Sequence, residues 1–88
     1  MNNYMKNQNQ LSKYREEYPT GTRIVLLHMT EDPMPIPDNS RGTVQYVDDA
    51  AQIHVKWDNG RGLAVVPGVD RFRKLTEKEI SEEETKNQ

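Results

Sequence analysis

Residues 52–60 read QIHVKWDNG, and this stretch decides the fold class. Ile53, Val55 and Trp57 alternate with polar residues, which is the period of a half-buried β-strand. The Asn-Gly pair that follows tolerates the positive φ angles that a tight hairpin turn requires. The stretch therefore predicts a strand that enters a hairpin.

Four further strands are predicted around this one, because turn signals recur at short intervals and helical periodicity is absent. The five predicted strands are residues 22–29, 41–48, 52–57, 62–66 and 71–75. Residues 30–40 hold three of the five prolines, which remove backbone donors and predict a loop. Five short strands within residues 19–75 predict an all-β, five-stranded SH3-like small barrel, with an OB-fold as the alternative.

The predicted core consists of the apolar residues that face one side of these strands. In the first strand, the pairs Ile24/Leu26 and Val25/Leu27 compete for the interior, and a β-bulge would let both contribute. A core this small predicts a stability of a few kcal/mol. Its predicted members are Ile24, Leu26, Val44, Val47, Ile53, Val55, Leu63, Val65, Val69, Phe72 and Leu75.

The segments on either side of the barrel are predicted to be flexible polar tails. Residues 1–18 are rich in Asn and Gln, and residues 11–18 can form a turn or two of helix. Residues 76–88 contain five Glu and a single aliphatic residue, Ile80. We interpret this acidic tail as a solvated segment, although such tails can also shield a basic surface. Whether the N-terminal tyrosines dock on the barrel is left open.

The overall composition excludes several classes of protein. The chain has 88 residues, a net charge of −2 and no cysteine, so disulfide-stapled folds, thiol catalysis and cysteine metal sites are excluded. No apolar run reaches the roughly 20 residues that a membrane helix needs. The N-terminus lacks the apolar region of a secretory signal. We predict one cytoplasmic, monomeric domain without membrane association.

Several segments in this order resemble a bacterial family named domain of unknown function 4314, over about Tyr18 to Lys74. The resemblance implies an SH3-like barrel encoded by bacteria, often beside phage or conjugative-element genes. It implies no activity, cofactor, partner or site residue. The segments that carry it are GTRIVLL at 21–27, the Pro-rich loop, RGTV at 41–44, VDD at 47–49, IHVKWDNG at 53–60 and PGVDRF at 67–72.

No residue pattern predicts catalysis. His28 and His54 lack metal-binding spacing, so we interpret them as surface residues. The chain has no Gly-rich phosphate loop and no recognisable Ser/His/Asp arrangement. We predict that the protein is not an enzyme and holds neither a metal nor a cofactor. Four aspartates fall in predicted turns, where their side chains would cap backbone groups: Asp48, Asp49, Asp58 and Asp70.

The leading functional prediction is an aromatic and apolar groove for a protein or peptide. Met34 and Ile36 are apolar residues in a polar loop, beside the position of the peptide groove in SH3-like barrels. With Tyr46 and Trp57 they would line such a groove. The competing interpretation is that Met34 and Ile36 fold back over an end of the barrel.

The alternative functional prediction is a basic strip that binds nucleic acid. Arg61, Arg71, Arg73 and Lys74 lie in or beside the last two predicted strands, with aromatic residues interleaved. Against this prediction, basic and acidic residues balance within the predicted barrel, whereas nucleic-acid-binding domains are usually basic. Nucleic-acid binding is therefore kept as the second hypothesis.

Overall fold

The computed structural model describes residues 3–86, and side-chain environments from residue 9 onward. Six elements follow one another: α1 (Asn3–Glu17), β1 (Arg23–His28), β2 (Arg41–Val47), β3 (Ile53–Trp57), β4 (Arg71–Lys74) and α2 (Glu77–Lys86). The four strands form one antiparallel sheet in the order β3-β2-β1-β4. The mostly β character predicted from the sequence is confirmed.

The prediction of a closed, five-stranded barrel is wrong. Residues 62–66, the predicted fourth strand, make only two isolated bridges to β3, at Val65 and Gly62. Between these bridges the Leu63 N–H donates to the Val55 carbonyl at 3.2 Å, whereas the Leu63 carbonyl accepts the Trp57 indole N–H at 2.9 Å. Residues 62–66 still cover the inner face of the sheet, and Val65 enters the core.

Two β-bulges decide which side chains of β1 and β2 face inward. In β1 the register shifts between Leu26 and His28, and in β2 it shifts between Val44 and Tyr46. Ile24 and Leu26 therefore face the core, whereas Leu27 lies in the bulge with 36% of its surface exposed. The β-bulge that the sequence allowed in the first strand is thus present. Leu27, which lies in this bulge, is exposed and does not contribute to the core.

The core lies between the inner face of the sheet, α1, the Pro-rich loop and residues 62–66. The assignment of Val69 to the core is wrong, because this residue lies in a turn and is 37% exposed. Leu63 and Phe72 are only partly buried, and Leu75 is buried outside the main cluster. The main cluster contains Ile24, Leu26, Met29, Ile36, Val44, Val47, Ile53, Val55, Trp57 and Val65.

Most of both predicted flexible tails is helical. Leu11, Tyr14 and Tyr18 recur at helical spacing and pack against the core, so burial supports α1 beyond its intrinsic propensity. The Tyr18 ring meets Phe72 edge-on at 5.7 Å, and burial raises the pKa of the Tyr18 phenol. The extreme ends of both tails lie outside the described residues. The division of the chain at residues 19–75 stays a prediction.

The second helix, α2, lies on the opposite side of the sheet. We call this side the outer face; it carries the side chains that alternate with the core residues of the strands. Val25 alternates with Ile24 and Leu26, is 6% exposed and lies outside the main cluster, so it is covered from this side. Within residues 3–86, neither helix combines the length and apolar character that crossing a membrane requires. Other outer-face residues are Arg23, Arg41, Thr43, His54, Lys56 and Arg73.

Candidate functional site

Two of the four residues predicted to line a peptide groove are buried. Trp57 and Ile36 each expose 1% of their surface and belong to the main core cluster. Ile36 is the residue of the Pro-rich loop that folds back over the core, as the competing interpretation held. Neither side chain is available to a ligand, so both are corrected from groove residues to core residues.

The other two predicted groove residues are exposed but lie apart. Met34 is 70% exposed and Tyr46 is 53% exposed. Tyr46 pairs with His54, at the start of β3. The Met34 carbonyl accepts a bond of 2.7 Å from Arg61, which follows the turn at the end of β3. The four predicted residues therefore form no common groove.

The predicted basic strip is also divided. Arg61 binds the carbonyls of the Pro-rich loop. Arg71 and Arg73 are exposed on β4, where they flank the partly buried Phe72. Lys74 alternates with Arg73, and its Nζ lies 5.1 Å from the centroid of the Tyr18 ring. The four cations thus face different surroundings and form no continuous strip.

Tyr46 is held in a defined position on the outer face. Its ring stacks on His54 with 4.2 Å between centroids and 8° between planes. His54 Nε2 lies 2.8 Å from an Asp48 oxygen, and Asp48 also accepts the N–H groups of Ala50 and Gln52. The bond to His54 is the main cause of the lowered pKa of Asp48. The turn therefore fixes the histidine, and the histidine supports an exposed aromatic ring.

A second cluster on the outer face joins the sheet to α2. The Arg23 guanidinium donates two bonds to Asp58, at 2.7 and 2.8 Å, and two to Glu83, at 2.6 and 3.1 Å. A fifth bond of 3.1 Å reaches the Thr43 hydroxyl. These bonds to Arg23 lower the pKa of Asp58 and of Glu83. Arg23 therefore links β1 to both the β3 turn and α2.

Arg41 and Arg73 complete what we call the arginine cluster, Arg23, Arg41 and Arg73. Arg41 lies 3.0 Å from Glu83 and 3.6 Å from Glu79. Arg73 donates to both oxygens of Glu79, at 2.7 and 3.1 Å. This pair is the main cause that lowers the pKa of Glu79 to about 2. Three arginines thus hold two carboxylates that stand one helical turn apart.

Two concave regions lie beside these elements. An open polar depression of about 460 Å³ lies beside the contact of α2 with the sheet and is lined by Arg23, Thr43, Asp58, Glu83 and Lys86. A groove of about 300 Å³ lies between Leu11 and Tyr14 of α1 and the turn at residues 49–51. Among the described residues, no group of three or more His, Asp or Glu is placed to hold a metal ion.

Sequence reasoning missed the arginine cluster as a site. Of its three arginines, only Arg73 belongs to the basic strip predicted from the sequence, and the glutamates are interpreted there as a solvated tail. One signal was present: Glu79 and Glu83 stand four residues apart, so they share a face of any helix that forms there. The pairing with Arg23 and Arg41 depends on strand register, which this signal does not contain.

Comparison with known proteins identifies a family and no individual relative. A model of the family described as Domain of unknown function (DUF4314) matches residues 7–75, which confirms the resemblance seen in the sequence. The match covers the whole sheet and most of α1, and it ends before α2 begins. No curated protein and no solved structure matches the chain.

Proposed function

The chain belongs to the DUF4314 family, and we propose that it is a non-enzymatic interaction module that binds a protein or peptide through the outer face of its sheet. The observation that carries the proposal is the exposed Tyr46 ring, stacked on His54. Tyrosine is enriched at binding hot spots, because it offers apolar area together with a polar hydroxyl. Of the predicted groove residues, Tyr46 is therefore the one that we assign a binding role.

The surroundings of Tyr46 suit contact with a polypeptide. The stack on His54 and the bond from His54 to Asp48 restrict the ring before any partner arrives. Less side-chain entropy is then lost on binding, which favours affinity. Lys56 is exposed on the same face, and the arginine cluster lies further along it. A partner would meet an aromatic anchor beside cationic side chains.

The proposed site differs from the groove predicted from the sequence. Trp57 and Ile36 support the sheet from the inner side, where they pack in the core. Met34 remains exposed, at the other end of β3 from Tyr46. The site is thus an open sheet face rather than a cleft between loops.

Nucleic-acid binding is the second candidate function, as an accessory protein of a phage or conjugative element. It is favoured by the combination of an exposed aromatic ring with His54 and Lys56 on one sheet face, since single strands stack on such rings. Arg71 is also exposed on β4. Against it stand the net charge of −2 and the pairing of Arg73 with Glu79.

Site-specific photo-crosslinking tests the two candidates together. Tyr46 is replaced by p-benzoylphenylalanine in bacterial cells that encode the protein, and Lys13, exposed on α1, is replaced in the same way as a control. We expect an adduct from position 46 that protease destroys and nuclease leaves intact, and none from position 13. A nuclease-sensitive adduct would favour nucleic acid. Equal adducts from both positions, or none, would contradict binding at this face.

A further inference from the structure

Among the described residues, the arginine cluster holds α2 with five hydrogen bonds from its guanidinium groups. Arg23 and Arg73 each place two nitrogens on one carboxylate of α2. Such forked pairs fix the orientation of the carboxylate as well as its position. The sheet therefore recognises a specific spacing of acidic groups, that of Glu79 and Glu83 on one helical face.

The attachment of α2 consists mainly of these ion pairs. None of the residues of α2 from Glu77 to Lys86 is fully buried, and its one aliphatic residue, Ile80, is half-buried. The polar depression of about 460 Å³ beside Glu83 and Lys86 leaves part of this contact open to solvent. A helix that buries little apolar surface is held weakly, because partly exposed ion pairs compete with water and salt.

Contacts within the start of α2 favour its helical form independently of the sheet. The Thr76 hydroxyl accepts the Glu79 N–H at 3.1 Å, and the Glu79 carboxylate accepts the Thr76 N–H at 2.9 Å. This reciprocal pair is a capping box, which satisfies backbone donors at a helix start. The Glu79 carboxylate thus caps the start of α2 and also binds the arginines of the sheet.

We propose that α2 is an exchangeable intramolecular ligand of the arginine cluster, displaced by an acidic helix of a partner protein that carries two carboxylates four residues apart. The inference rests on the proposed function and names its partner and regulation. Residues 75–76 join β4 to α2, so the helix stays near the cluster at a high effective concentration, about millimolar for short tethers. A partner helix therefore binds only when its concentration and affinity together outweigh those of the tethered α2.

The geometry favours a helix over a nucleic-acid strand at this cluster. The carboxylates that fit here are spaced by one turn of an α-helix, and their forked pairing with Arg23 and Arg73 is already formed. Binding of a nucleic-acid strand in place of a helix is an outcome of the test below.

The test uses the full chain and a fluorescein-labelled peptide of residues 76–86 as the probe. The variant Glu79→Gln/Glu83→Gln removes both carboxylates, while Gln at residue 79 can still complete the capping box. The variant Glu82→Gln/Glu84→Gln makes the same change in charge at two exposed positions of the same helix. We expect fluorescence anisotropy to show peptide binding at least about tenfold tighter to the first variant than to the wild type, with no such gain in the second.

Two further measurements keep the result interpretable. The peptide with both cluster-facing glutamates changed to Gln should fail to bind any form of the protein. In the unaltered protein, excess wild-type peptide should shift the backbone amide NMR signals of residues 77–86, because the displaced α2 leaves the sheet, and salt at about 1 M should abolish this effect of the peptide. This second measurement does not depend on the folding of a variant.

Three results would overturn the inference. One is equal peptide affinity of the two double variants, which would mean that net charge alone matters. Another is the absence of peptide-induced shifts in the amide signals of residues 77–86 of the unaltered protein. The third is binding of a single-stranded oligonucleotide, but not the peptide, to the Glu79→Gln/Glu83→Gln variant. Crosslinking from position 46 remains a separate readout, so a polypeptide adduct there combined with failure here would reject the exchange alone.

Discussion

The substitution Gly42→Ala tests how closely β2 approaches β3 over the core. Gly42 is buried and pairs with Trp57 across the two strands, next to Arg41 of the arginine cluster. A Cβ atom there would lie 2.6 Å from Val55 Cγ1, 2.8 Å from Trp57 Cε3 and 3.0 Å from the Lys56 carbonyl. The last atom belongs to the backbone of β3 and cannot rotate away.

Two opposing effects set the size of the change. Replacing Gly by Ala reduces the freedom of the unfolded chain, which stabilises a protein by about 0.4–1 kcal/mol where the site can accept a methyl group. Overpacking a well-filled core costs about 1–3 kcal/mol. With contacts this short the second effect dominates, and we expect Gly42→Ala to lower the free energy of unfolding by about 1–2 kcal/mol.

Urea denaturation followed by fluorescence of Trp57, the single tryptophan, measures this change directly. With a urea m-value of about 1 kcal/mol per molar, the midpoint should fall by about 1–2 M. Gly62→Ala is the matched control, because a Cβ at that position meets no atom within 4 Å and the backbone has no positive φ. A Gly42→Ala midpoint equal to or above that of Gly62→Ala would refute the close approach of the two strands.

Three other predictions concern the outer face and the core. Arg73 lowers the pKa of Glu79 to about 2, and Arg23 holds the pKa of Glu83 below its ordinary 4.5. The contribution of the two glutamates to α2 docking is therefore complete above pH 4.5 and is lost as the pH falls towards 2. Carboxylate NMR titration would contradict this if both midpoints lay near 4.5. Asp48→Ala should destabilise the protein by about 1 kcal/mol, since it removes the bonds that hold the turn. The urea midpoint of Asp49→Ala should stay close to wild type, because that side chain is 98% exposed. Trp57→Phe should lower stability by about 1 kcal/mol or more through loss of the indole bond, and unchanged thermal unfolding followed by circular dichroism would argue against it.

The parts of the fold that were predictable depend on local pattern. Alternation in residues 52–57 marks β3, and the Asn-Gly pair marks its turn, where Gly60 has a φ of 93°. The missing fifth strand coincides with a contact that a sequence pattern cannot show. The Trp57 indole takes the Leu63 carbonyl that a continuous ladder would use, and this contact arises only once both residues are packed.

The bulges limited the prediction of side-chain direction. A single extra residue at Leu27 shifts the alternation that follows it, so Met29 enters the core together with Ile24 and Leu26. Ile36 is a similar case, since a residue in a proline-rich loop has no period that would reveal its burial. The error at Ile36 passed directly into the predicted groove, because that residue was included on the presumption that it is exposed.

The arginine cluster shows why charge counted along the chain is a poor guide to charge on a surface. Basic and acidic residues balance between residues 19 and 75, and this balance argued against any basic surface. Antiparallel register places Arg41 and Arg73 opposite Val25, with Arg23 on the same outer face, so three cations from distant parts of the chain meet. The acidic excess of residues 77–86 is then the counter-charge of that face. The acidic tail and the neutral core, which the sequence presents as separate segments, thus contact each other through complementary charges. The charge of the outer face therefore depends on whether α2 is attached.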